Sequence, residues 1–431
     1  MFNMGRAKRT RNRRKLRTRE KNAMTDIVQM TRWMGTKKWK NLAKIKCQEF
    51  QQTGRGVMST KVISSGDVLI SVPYKLLITY STIAESEGFL NILKLNSKLG
   101  IHNLLCAFLV FEKHKGNRSS WKYYINSLPK EKPKLPWFAS FQEMQCFPED
   151  FRIICNHSRD KFEKSWNHFR NSVNPNWTCS CCNKNIDDII NFEAYIWGYT
   201  LVNTRVVYLD PDLVKSFSKC DVLLDAPNIA LCPMMDMFNH CDSSENIIKF
   251  KHTKEHLMFE LVTLDNIPRY NEIFICYGRH DNLKLFTEYG FYLPKNSNDK
   301  VKFIPDVILK VLNLTLSNIQ YGYLKEHQFL NCDELFISSS GISFKLRGFL
   351  YVAWNEGDRN YGMTIFGEKY SDSFKDSLRY FLVKLIDYKR KEYECDINKL
   401  SEKFCKSNIL NYLINRLEFV QNLEKSIEEL L

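Results

Sequence analysis

The chain has 431 residues, is 44% hydrophobic and 13% aromatic, and carries a formal net charge of +15. That length exceeds one ordinary domain and that composition fills a substantial core, so two or three domains are expected. No apolar run reaches the ~18 residues that a membrane-crossing helix needs, and no apolar block follows the basic N-terminus as in a signal peptide, so a soluble intracellular protein without a membrane partner is expected.

The first element in chain order is a charge run. Residues 6–21, "RAKRTRNRRKLRTREK", hold ten Lys/Arg and one Glu, and so carry +9 of the +15. The run has no apolar periodicity, which predicts a disordered basic tail over 1–25. A nuclear localisation signal, a nucleic-acid-binding arm and a plain solvated tail all fit it. No aromatic residue interleaves the run, so nucleic-acid contact there would be weak and limited to phosphates.

From Met24 to Trp39 apolar residues recur at three- and four-residue spacing, which predicts a helix. Residues 53–79 alternate, are rich in Val and Ile, and carry a Ser-Gly-Asp turn at 65–67. They predict a β-hairpin. "IHNLLCAFLVFEKHK" reads as a buried helix, and "RSSWKYYINSLPK" (118–130) follows with a Pro stop. Residues 131–225 mix helix and loop, and "FEAYIWGYTLVNTRVVYL" (192–209) opens as an apolar helix. Strands return from Asp225, with "HLMFELVTLDNI" and "NEIFICYG". After residue 300 the pattern is all-helical, with Leu410, Leu413, Leu417, Val420, Leu423, Ile427 and Leu430 in one stripe. Strands, helices, strands and then a helical unit exclude a doubly wound α/β fold.

The 14 cysteines are scattered and read as reduced, mostly buried thiols. One cluster stands out, Cys179, Cys181 and Cys182 in "TCSCCN". A zinc site needs a second CxxC-like pair or spaced His, and no second pair lies nearby, so free thiols are the expectation and no metal is assigned.

Four short segments carry chemistry. Thr53-Gly54-Arg55-Gly56 lets the backbone approach a ligand, or makes a tight turn. It is no dinucleotide fingerprint, because neither a helix nor a third Gly follows. Arg205 ends a buried helix and must find an anion, either a structural carboxylate or one on a ligand. "PMMDMFNHCD" (233–242) brings Asp236, Asn239 and His240 to the end of an apolar run. "EIFICYGRHDNLKLFTEYGF" (272–291) holds two Tyr-Gly pairs twelve residues apart, whose rings are core or site.

In this order the four segments resemble the SET-domain methyltransferases, in particular the subgroup typified by the plant RuBisCO large-subunit lysine methyltransferase. The likeness covers residues 26–300 and is architectural beyond. It implies an α+β fold: a β-clip, pseudo-knotted SET catalytic core over 26–300 with a helical insertion at about 95–225, then an all-α substrate-binding domain over 301–431. It implies an S-adenosyl-L-methionine-dependent protein-lysine N-methyltransferase acting on histone or non-histone lysines in nucleus and cytoplasm. Thr53, Gly54, Arg55, Gly56, Arg205, Asn239, His240, Tyr277 and Phe291 would contact the methyl donor. Arg205, Asp236, Tyr277 and Tyr289 would contact the substrate, and Tyr277 would be catalytic. Thr204 stands where the subgroup often has Ser, and the cysteine-rich motifs flanking other SET domains are lacking.

The chemistry suits these residue types. Methyl transfer to an amine is an in-line displacement without a metal. The amine must be neutral, which an aromatic, desolvated channel promotes, and a Tyr hydroxyl would fix the nitrogen by O–H···N contact. A silent SET module acting as a chromatin or protein-binding adapter, and a protein-histidine methyltransferase, are the alternatives.

Overall fold

The computed structural model describes residues 24–86, 88–212, 222–252, 257–357, 360–403 and 408–429. The basic run 6–21, nearly all of the 1–25 tail, and Leu430 of the helical stripe lie outside the described residues. The chain divides into two compact units. One joins Met1–Pro133 to Asp160–Gly278, and the other joins Lys134–Arg159 to Arg279–Leu431. No helix among the described residues is long and apolar enough to cross a membrane.

The first unit opens with a helix over 24–36 that buries Ile27, Met30 and Met34. It stops short of the expected Trp39. Lys38 turns to φ 69, and the N–H groups of Lys38 and Trp39 close back on the carbonyls of Gly35 and Met34. That left-handed closure satisfies two helix-end carbonyls.

Strands β1 (Ile45–Phe50) and β2 (Gly54–Ser59) then form an antiparallel hairpin in which Phe50 faces Gly54. Strand β3 (Val68–Pro73) belongs elsewhere. The hairpin expected over 53–79 is therefore corrected: β2 and β3 are strands, but they lie in different sheets. The turn at 64–67 exists, with Asp67 N–H on Ser64 O and Gly66 at φ 89. Residues 60–67, however, are too long for a two-residue hairpin loop. They bridge to Ile267 through Ile63 and carry the chain from one sheet to the next.

Strands β4 (Val206–Tyr208) and β5 (Ile229–Leu231) pair with each other. β6 is the short Asn239–His240 strand, β7 spans Asn246–His252, β8 Leu257–Thr263 and β9 Glu272–Ile275. One sheet has the order β1-β2-β9-β6 and a second the order β3-β8-β7. All pairings in them are antiparallel except β6 with β9, which run parallel with Asn239 opposite Phe274 and His240 opposite Ile275. The β7–β8 hairpin occupies the crossover between these two parallel strands.

The helical insertion is built on the Ile101–Lys115 helix, buried over most of its length, and the Phe192–Arg205 helix. The two touch at Gly198, where a Cβ would sit 2.6 Å from the carbonyl oxygen of Cys106. Only glycine permits that approach. It fixes the register of the second helix and therefore the place of Arg205 at its C-terminal end, where the helix dipole favours a cation.

The second unit is mainly helical, with long helices at Asp372–Lys403 and Asn408–Lys425. It also holds a three-stranded sheet of β10 (Lys300–Lys302), β11 (Phe336–Ser338) and β12 (Gly341–Ile342). Helical periodicity over the last third does not register such short strands. Leu413, Val420, Leu423 and Ile427 of the expected stripe are buried, whereas Leu410 and Leu417 are only half-buried. The stripe also includes polar members. Arg416 is buried with its Nη1 2.6 Å from Asp299 Oδ2 and its Nη2 2.7 Å from Lys300 O. Asn282 Nδ2 donates to the same carboxylate oxygen at 3.0 Å. Tyr412 stacks on Phe286 one turn away, with centroids 4.3 Å apart.

A buried ion pair adds little over apolar packing, but breaking one partner strands a charge. Arg416→Met should therefore cost about 3–5 kcal/mol, read from the urea midpoint of the full chain. Arg416→Met combined with Asp299→Asn should recover a large part of it. An Arg416→Met protein as stable as wild type would show that this pair does not hold the unit.

Candidate active site

The site grows from the point where β2, β6 and β9 meet. Gly56 lies in β2, where a Cβ would come within 2.7 Å of Asn239 Nδ2 and would also collide with the Glu272 carboxylate. The absent side chain lets these two groups pack over the strand. Asn239 Nδ2 donates to Glu272 Oε1 at 2.7 Å and to Arg55 O at 3.1 Å, and Thr53 Oγ1 donates to both Glu272 oxygens at 2.7–2.8 Å. Gly54 has φ 72, a left-handed turn into the strand. Both glycines lie within β2.

A second cluster surrounds Asp236, whose side chain is fully buried. Arg205 Nη1 donates to Asp236 O at 2.7 Å and to its Oδ2 at 3.2 Å. The hydroxyl of Tyr124 donates to the same Oδ2 at 2.9 Å. Arg55 reaches Ser127 O at 2.9 Å and also feels the field of Asp236. Burial lifts the Asp236 carboxyl above its ordinary range, and the pull of Arg205 and Tyr124 offsets only part of that. Burial, then repulsion from Arg205, lowers the Arg55 guanidinium. Arg205 thus contacts the buried Asp236 carboxylate, and Arg55 lies in the field of both Asp236 and Glu49. Arg205 Nε and Asp236 Oδ1 are buried and make no hydrogen bond among the described residues.

The third cluster is on the parallel pair. His240 is 4% exposed, and burial lowers its pKa, which keeps the ring neutral. Its Nδ1 lies 3.1 Å from the Tyr277 backbone N–H, which donates to it, and the two rings stack with centroids 5.1 Å apart. The Tyr277 hydroxyl donates to Phe238 O at 2.6 Å. A hydroxyl has one proton and two lone pairs. With the proton held by Phe238, the oxygen is left to accept, so the O–H···N contact expected from the sequence becomes an acceptor contact in this arrangement.

The structure therefore brings together Thr53, Gly54, Arg55, Gly56, Arg205, Asp236, Asn239, His240 and Tyr277 within one unit. Tyr289 and Phe291 belong to the other unit, where their rings lie 6.2 Å apart and Tyr289 also stacks on His280. Burial raises the Tyr289 hydroxyl to about 12. Three groups escaped the sequence reading. Glu272 had a signal, a charge opening an alternating strand. Tyr124 and the carbonyl of Phe238 had none, since their part depends on partners 112 and 39 residues away.

These residues suit a zwitterionic nucleoside ligand. The uncommitted Arg205 Nε suits a carboxylate, while the Glu272–Asn239–Thr53 group offers acceptors for ammonium or ribose hydroxyls.

Comparison with known proteins points the same way. The SET domain profile matches residues 54–278. The chain is 31% identical over 313 residues to SET domain-containing protein 4 of Artemia parthenogenetica, covering 71% of this chain and 73% of that protein. It is 28% identical over 408 residues to SET domain-containing protein 4 of Homo sapiens, covering 93% and 88%. A solved structure described as Rubisco LSMT bound to AdoMet shares the fold, with a TM-score of 0.60 over 94% of this chain and 92% of that one, at 16% identity. A strand pair that sets Asn239 and His240 beside the segment leading to Tyr277, inside the 54–278 stretch that matches the SET domain, means that the chain belongs to the SET-domain family.

Proposed function

We propose that this chain transfers a methyl group from S-adenosyl-L-methionine to the side-chain amine of lysine in a protein. The observation that carries the reading is the Tyr277 hydroxyl, held by Phe238 O beside the Asn239–His240 strand. When bound, the donor supplies a methyl group on a sulfonium. Arg55 and Arg205 hold its carboxylate, and Asn239 and His240 hold its nucleoside and amine end. The Tyr277 oxygen, oriented by its own hydrogen bond, accepts from the amine or from the polarised methyl C–H. Buried Phe238 and Met237 exclude water and favour the neutral amine. Lysines of histones and of other proteins both answer to this chemistry, and a histidine acceptor is the variant reading. A chain carrying +9 over residues 6–21 would act in the nucleus as well as the cytoplasm.

Three measurements test the proposal. Tyr277→Phe should leave donor affinity intact and lower single-turnover methylation of a protein extract about 100-fold, the effect of losing one preorganised polar contact. Wild-type turnover in that variant would remove the catalytic role and favour a silent adapter. Identifying the labelled residue by mass spectrometry separates lysine from histidine.

Gly56→Ala should displace Glu272 and Asn239 and weaken donor binding at least tenfold by calorimetry, as should Asn239→Ala. Gly35→Ala, where nothing lies within 4 Å of the added methyl, should not. Equal affinities in all three would sink the pocket assignment.

A reporter fused to residues 1–25 should concentrate in the nucleus. An even spread through the cell would leave the basic run as a solvated tail.

A further inference from the structure

The cysteine cluster that the sequence left as free thiols has a fourth member. His114 sits in the last turn of the Ile101–Lys115 helix, and its Nε2 lies 3.3 Å from Cys182 Sγ and 3.6 Å from Cys181 Sγ. Cys179 Sγ is 3.0 Å from Cys181 Sγ. The four donor atoms of His114, Cys179, Cys181 and Cys182 all lie within 4.8 Å of one another. A tetrahedral zinc with Zn–S of about 2.3 Å and Zn–N of about 2.0–2.1 Å spaces its ligands roughly 3.5–3.8 Å apart. The observed spacings bracket that range, so shifts of side chains alone would complete the tetrahedron.

We propose that His114, Cys179, Cys181 and Cys182 form a structural zinc site in the helical insertion, separate from the methyl-transfer pocket.

The backbone around the thiols supports it. Thr178 and Asn185 bridge as an antiparallel pair, and Cys179 N–H donates to Lys184 O at 2.9 Å, which makes a tight loop with the three cysteines at its tip. Within that loop the Cys181 N–H points at Cys179 Sγ at 3.4 Å. Such N–H···S contacts stabilise a thiolate, the form in which cysteine binds metal. Three thiols lose their protons as Zn²⁺ binds, and the resulting four-ligand centre carries a net charge of minus one. Two cations stand close enough to balance it. Arg118 donates to Cys181 O at 3.3 Å, and both Arg118 and Lys184 act electrostatically on His114. The helix C-terminus that presents His114 also favours a bound cation. The donor set of three sulfurs and one imidazole selects zinc over the oxygen-seeking divalent ions.

The spacing rule looked for a second cysteine pair near the first in sequence. The ligand it lacked lies on another element, brought there by the packing of the insertion. A closed, four-ligand centre has no open position for substrate, so its work would be to clip the 178–185 loop to the end of the helix.

The full-length protein, expressed in zinc-sufficient medium and purified without chelator, should hold about one zinc per chain by plasma mass spectrometry, as a closed structural site requires. Cys179→Ser, Cys182→Ser and His114→Ala should each lose most of it, while Cys332→Ser and Cys395→Ser should keep it. The first three variants should still bind S-adenosyl-L-methionine, because none of these residues belongs to the donor pocket. Should those variants fail to fold, the wild-type chain suffices. Cobalt in place of zinc should give the visible bands of tetrahedral thiolate coordination, and X-ray absorption on the zinc form should show three sulfurs and one nitrogen. Zinc-loaded wild type with no bound metal after desalting would overturn the site. Equal metal content in all five variants, or a Cys179–Cys181 disulfide found in reduced-handled wild type, would overturn it as well.

Discussion

Two residues of parallel strand carry much of this molecule's arrangement. β6 runs beside β9 for Asn239 and His240 alone. Parallel neighbours cannot be joined by a tight turn, so the chain must leave the first sheet, build the β7–β8 hairpin in another, and return. That detour sets the Asn-His pair against the segment ending in Tyr277. The Tyr277 backbone N–H on His240 Nδ1 and the Tyr277 hydroxyl on Phe238 O then tie the two segments through one residue, by its main chain and its side chain. The junction satisfies buried backbone groups that so short a strand would otherwise leave open.

The same junction explains why β2 needs glycine. A strand next to β9 that is crossed by the Glu272 carboxylate and the Asn239 amide has no room for a Cβ at Gly56. Close backbone approach, which sequence alone ascribes to a ligand, first serves this chain's own polar groups. The charges follow a related logic. Asp236 is buried at a cost that Arg205 and Tyr124 offset only in part. The second guanidinium, Arg55, is held nearby by Ser127 O against repulsion from the first.

Polar groups organise the second unit as well. Arg416 and Asp299 lie beneath the helix stripe and tie Asn408–Lys425 to the strand at Lys300. A guanidinium that donates through two nitrogens, one to a carboxylate and one to a backbone carbonyl, gives this helix a register against the strand that leucines by themselves leave loose.

The sequence by itself determined the features that depend on neighbours along the chain. The Ile101–Lys115 and Phe192–Arg205 helices were legible because apolar side chains repeat with the helical period. The SET-domain kinship and the residues from Thr53 to Tyr277 were legible because four short segments keep a characteristic order. Only tertiary structure decided which strands pair. β2 and β3 have the alternation of a hairpin, yet β2 pairs with its neighbour β1 and with the distant β9, while β3 pairs with the distant β8, which places them in separate sheets. It also decided that the Tyr277 hydroxyl gives its proton to Phe238 O and that Arg205 meets Asp236. It further placed His114 beside three cysteines more than sixty residues along the chain. Periodicity is a local property of a strand or helix, whereas a hydrogen bond or a ligand set is a meeting of groups whose separation in sequence carries no signal.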